Sequence, residues 1–108
     1  MPIHNKLVRD RIPEVITKTG KQFSTRILLK EEYEVEVKKK LSEELDEYNE
    51  ANTNEEAIEE LADILELLHA AIKVQGSSFD ELEKVRKAKA EKRGGFEKRI
   101  FLIEVEDD

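Results

Sequence analysis

The chain has 108 residues, of which 42% are charged, 38% hydrophobic and only 6% aromatic, and its formal net charge is −7 at pH 7. A length of this order fits one domain, 1–108, with a small core. The scarcity of aromatic residues argues against a β-sandwich and for helices with charged outer faces. With no cysteine, a disulfide scaffold, a thiolate zinc site and a cysteine nucleophile are excluded, and the acidic balance disfavours nonspecific nucleic-acid or membrane partners.

Taken in chain order, Pro13 fits the first turn of a helix running to about Thr19, with Gly20 as its stop. Phe23 to Leu28 reads as a short strand. The next helix begins near Lys30, without an evident N-cap, and runs to about Ala51. Thr53 and Glu56 have the spacing of a capping box and start a helix near Asn54 that ends at Gly76. Ser78 and Glu81 repeat that spacing, and the last helix runs to Arg93, where Gly94-Gly95 breaks it. Ile100 to Val105 reads as a second strand, paired with the first. The expected fold is therefore all-α, a small bundle of four to five helices with a short terminal strand pair. A subunit this thin is expected to complete its core by forming a homo-oligomer, a dimer or tetramer. No apolar run reaches membrane-spanning length and no signal-peptide pattern opens the chain, so the cytoplasm is the expected compartment.

Helical periodicity assigns faces to the acids. In the helix after Thr53, Glu56, Glu59, Glu66 and Lys73 form a solvent face, and Ile58, Leu61, Leu65, Leu68 and Ile72 the main core stripe. Glu60 and Asp63 lie elsewhere, on a flank continued by Ile64, Leu67, Ala71 and Val74. In the preceding helix, Val37, Leu41, Leu45 and Tyr48 form the core stripe, while Lys40, Glu44, Glu47 and Ala51 make a row beside it. If the two helices run antiparallel, Glu44, Glu47, Glu60 and Asp63 converge. Four hard oxygen donors suit Mg²⁺ or Mn²⁺. The alternative is a set of solvated acidic faces with i,i+4 ion pairs.

In the last helix, Phe79, Leu82 and Val85 define a buried face, and its continuation carries Arg86, Lys89 and Arg93, with Lys92 beside it. An inward stripe that turns from apolar to cationic suggests phosphate contacts, although cations also complement a helix C-terminus. Lys6, Arg9 and Arg11 could reach the same site or form a surface cluster with Asp10. Phe96, and less readily Tyr33 or Tyr48, could stack on a base. His69, at the edge of the core stripe, has the place of a packing residue.

Glu43-Glu44-Leu45-Asp46-Glu47, followed by Glu60-Leu61-Ala62-Asp63, resembles the paired acidic motif of the MazG-like all-α nucleoside triphosphate pyrophosphatases. The opening Asn5-Lys6-Leu7-Val8-Arg9-Asp10-Arg11-Ile12-Pro13-Glu14 and the close Lys92-Arg93-Gly94-Gly95-Phe96 are similar to the phosphoribosyl-ATP pyrophosphohydrolase-like branch. The resemblance covers nearly the whole chain. It implies a Mg²⁺-dependent hydrolase that cleaves a nucleotide between its α- and β-phosphates, releasing a nucleoside monophosphate and pyrophosphate, with noncanonical nucleotides as the expected substrates. It implies Mg²⁺ on Glu44, Glu47, Glu60 and Asp63, and basic residues on the later helix, for which Lys89, Lys92 and Arg93 are the candidates; the residues themselves add Lys6, Arg9 and Phe96 as further substrate candidates. Glu43 or Glu47 would orient the attacking water. Phosphoribosyl-ATP hydrolysis in histidine biosynthesis, or a non-catalytic helical interaction module, are the competing readings.

Overall fold

A computed structural model describes residues 2–107, in which four helices follow one another: α1 (Ile12–Lys18), α2 (Lys30–Glu50), α3 (Asn54–Val74) and α4 (Phe79–Arg93). Their ends follow local chemistry. Pro13 lies in the first turn of α1, where its missing N–H costs nothing. Gly20 and Gly76, at φ +78° and +76°, turn the chain away after α1 and α3; that left-handed conformation is open to glycine without strain. The Thr53 hydroxyl accepts from the Glu56 N–H at 3.1 Å, and the Glu56 carboxylate accepts from the Asn52 N–H at 2.9 Å. The Ser78 hydroxyl caps α4 through the Glu81 N–H at 3.2 Å. There the reciprocal half of the box is absent, because the Glu81 carboxylate turns to Lys84 instead.

The start of α2 solves its missing cap differently. The Leu29 N–H donates to the Glu32 carboxylate at 3.0 Å, and Arg26 grips the same carboxylate with two nitrogens, at 3.0 and 2.7 Å. Those hydrogen bonds, the Arg26 pair foremost, hold the Glu32 carboxyl at about 2.

Among the described residues α2 packs on α3, α3 packs on α4, and α1 packs on no other helix. The groove shared by Lys30, Tyr33 and Glu34 with Lys73, Val74 and Gly76 places the start of α2 against the end of α3, so the two long helices are antiparallel. Rings of His69 and Phe79 stack at 3.8 Å and 5° between α3 and α4, the packing role expected of that histidine.

Three expectations are corrected. First, no strand forms among the described residues. Phe23–Leu28 and Ile100–Val105 share no backbone hydrogen bond, and Ile27, Ile100, Phe101, Leu102, Ile103 and Val105 stand exposed. A lone two-stranded ribbon with nothing packed on its face has little to stabilise it. Second, most of the stripe read as the main core of α3 faces outward: Ile58, Leu61, Leu65 and Leu68 are 65, 45, 48 and 38% exposed, and only Ile72 is half-buried. The face less open to solvent is the flank of Glu60, Asp63, Ile64, Leu67, Ala71 and Val74. Leu45 and Tyr48 of α2 are likewise exposed, while Val37 is buried at 1%. Third, the cationic end of α4 does not point inward. Val85, Arg86, Lys89, Lys92 and Arg93 are all exposed, and Arg86 pairs with Glu83 of its own helix.

The radius of gyration is 18.5 Å, against about 13 Å for a compact domain of this length. The α2–α3 pair thus forms a two-helix layer with one apolar face open.

Replacing the Thr53 cap should cost about 1 kcal/mol. We expect Thr53→Ala to lower the urea midpoint without changing the slope of the transition, and Thr53→Ser to restore it.

Candidate metal centre

Two adjacent helix rows create the site. On α2, Glu44 and Glu47 stand one turn apart, below Lys40; on α3, Glu60 and Asp63 do the same. Carboxylate oxygens of Glu44, Glu47 and Glu60 all lie within 4.8 Å of one another. With those residues level, counting along two antiparallel helices brings buried Val37 level with Leu67, so the acids share one inter-helix seam with the apolar contact.

Glu44 is the deepest member. The residue is 7% exposed, and Lys40, one turn earlier, approaches its Oε1 at 3.9 Å. Its Oε2 has no partner, and neither has Oε2 of Glu60; both atoms are inaccessible to solvent. A buried carboxylate oxygen without a donor is costly. Glu47 completes the triad from the rim, where it is exposed.

Asp63 stands beside this triad. Its Oδ1 accepts from Arg9 Nη2 at 2.6 Å, and its charge still reaches Glu44. Two cations, Lys40 and Arg9, therefore face four acids, which leaves uncompensated negative charge.

The electrostatics follow from this deficit. Burial, first, and the neighbouring Glu47 and Asp63 raise the Glu44 carboxyl above its ordinary range, while the adjacent Glu60 carboxyl opposes the rise. Glu60 is pushed up to about 7, first by the close carboxylate of Glu44, next by that of Glu47 and then by burial. Near neutrality the cluster retains a proton that isolated glutamates would have lost. A divalent cation is the other way to relieve the same repulsion. All-oxygen donors, two of them holding an unpartnered buried atom, fit Mg²⁺ or Mn²⁺.

The remaining candidates are dispersed. Glu43 lies outside the triad and, with Glu36, Lys39 and Lys40, lines a narrow crevice with Asn5, Lys6 and Leu7. Lys6 thus lies along α2, one turn from the acids. Lys89, Lys92 and Arg93 make no ion pair with the cluster among the described residues, and Phe96 is 98% exposed. Tyr33 lies eleven residues before Glu44, about 16 Å along the helix. Sequence reasoning set Lys40 in one row with Glu44 but assigned it no role at the site, although the i,i+4 spacing allows the ion pair seen here. It also left open where Arg9 would go, since nothing local fixes a contact across 54 positions.

No family model, curated protein or solved structure matches the chain.

The raised Glu60 carboxyl sets a pH dependence. The unfolded chain gives up this proton near the ordinary 4.5, the folded one near 7. Between those values the unfolded state binds fewer protons, so the stability of the metal-free protein falls as pH rises. We expect the melting temperature in EDTA to drop between pH 5 and 7.5, and Glu60→Gln to flatten that slope. Glu32 acts in a separate window, losing its contribution only as pH falls from 4.5 toward 2.

Proposed function

We propose that this protein is a Mg²⁺-dependent nucleotide pyrophosphohydrolase that cleaves between the α- and β-phosphates of noncanonical nucleotides. The observation that carries the reading is the meeting of Glu44, Glu47 and Glu60 in one seam, with buried oxygens of Glu44 and Glu60 left without a donor. The order of the acidic motif, its basic opening segment and the closing Lys92-Arg93-Gly94-Gly95-Phe96 give it a substrate class.

In this reading Glu44, Glu47, Glu60 and Asp63 hold the ion. Bound Mg²⁺ supplies Lewis acidity toward the phosphate oxygens and neutralises the charge of an anionic substrate that this acidic chain would otherwise repel. Glu47, on the open rim, or Glu43, one turn before it on the same helix, accepts the proton of the water that attacks the α-phosphorus. Lys6 and Arg9 approach from the N-terminal segment to offset charge on the departing pyrophosphate. Phe96, beyond the two glycines, offers a face for the base.

The working form is a homo-oligomer. Ile58, Leu61, Leu65 and Leu68 repeat at helical spacing on a face that α2 leaves bare, and a two-helix layer stabilises itself best by burying such a face against a second copy. The four-helix core so formed would also shelter the seam from the far side.

Three measurements test this. Glu47→Gln should keep the helical circular dichroism of the parent and lose Mg²⁺-dependent pyrophosphate release by about a hundredfold or more. The substrate panel should span canonical and noncanonical nucleoside triphosphates and phosphoribosyl-ATP. Preferential turnover of phosphoribosyl-ATP would move the assignment to histidine biosynthesis, and no turnover together with no Mg²⁺ stabilisation would favour an interaction module. By light scattering the parent should have at least twice the mass of one chain, and Leu65→Glu should yield monomers. A monomeric parent would reject the shared core.

A further inference from the structure

We propose that Arg9 is an exchangeable counter-cation: it holds Asp63 while no metal is bound, and passes to a phosphate of the ligand when a divalent ion takes Asp63. This rests on the metal-centre reading and adds to it a coupling between metal and ligand binding.

Four observations carry it. The Arg9–Asp63 bond spans 54 positions and joins the N-terminal segment to α3 at 2.6 Å. It lies at the surface, with side chains 57 and 39% exposed, so it belongs to the class of ion pairs worth about 0.2–1 kcal/mol, which a stronger competitor displaces cheaply. Arg9 neutralises only the outer acid. The inner oxygens of Glu44 and Glu60 keep their deficit, so the pair leaves the demand for a divalent ion unmet. Finally, α1, which follows Arg9, packs on no other helix, so a change of partner at Arg9 disrupts no helix interface.

The chemistry favours the exchange in one direction. A carboxylate donates to a divalent ion more strongly than to a solvated guanidinium. The released guanidinium is planar and forked, and it matches two phosphate oxygens as well as it matched a carboxylate. Arg9 then competes with metal but assists the phosphate ligand, and removing it must move the two affinities in opposite directions. A merely structural contact would move both the same way or neither.

The experiment is calorimetric titration of the parent chain and of Arg9→Gln with Mn²⁺, then of each Mg²⁺-saturated protein with inorganic pyrophosphate. We expect Arg9→Gln to bind Mn²⁺ roughly two- to fivefold tighter, the factor a lost surface ion pair corresponds to, and pyrophosphate about tenfold weaker. Arg9→Lys should recover part of the pyrophosphate affinity. Asp63→Asn should weaken Mn²⁺ binding, which fixes the sign of the comparison. Unchanged or weaker Mn²⁺ binding by Arg9→Gln, in a parent that does bind Mn²⁺, overturns the exchange and leaves the metal centre standing. A parent that binds no Mn²⁺ overturns both.

Discussion

The seam between α2 and α3 is held under electrostatic tension, because three glutamates share a space that apolar side chains occupy elsewhere along the same interface. Glu44 is as well buried as a core residue, yet it keeps an oxygen without a donor. Replacing such acids by apolar residues is commonly neutral or stabilising, so packing alone gives no reason for them. Their placement follows from register: Glu44 and Glu47 share a row with Lys40, Glu60 and Asp63 share one with Ile64 and Leu67, and the short 51–53 connection brings the rows face to face. The same antiparallel pairing that buries Val37 forces the acids together, so the fold and the site cannot be separated.

The other side of α3 states the complementary constraint. A helix apolar around most of its circumference has two faces to cover, and α2 covers one of them. Loss of solvent exposure on the acid-bearing flank and its retention on the leucine stripe mean that the more polar of the two faces is the one used within the chain.

Helix positions were legible because their signals are local. Pro13, Thr53, Ser78, Gly20, Gly76 and Gly94 mark ends through bonds or dihedrals that involve neighbours only, and each observed end falls within about two residues of the expected one. The acid triad was legible for a similar reason, since a 3.6-residue period and one short connection suffice to align it. Reading failed where the answer depended on what lies across space. Periodicity shows that α3 has two apolar faces but not which one α2 takes, and β-propensity in Ile100–Val105 is silent on whether a partner strand exists. The inward direction assigned to Lys89 and Arg93 assumed that Val85 would be buried, and at 51% exposure it is not. Arg9 meeting Asp63 is a long-range event that no window of sequence contains.

The narrow attachment of α4 has a consequence for how the molecule breathes. One stacked pair, His69 on Phe79, anchors its first turn to α3, while its later residues run out with exposed side chains and a left-handed glycine beyond them. A segment with so little buried contact forms its own cooperative opening unit, whose amide hydrogens exchange well before those of the α2–α3 pair. Its basic end can therefore reorient without cost to the rest of the fold.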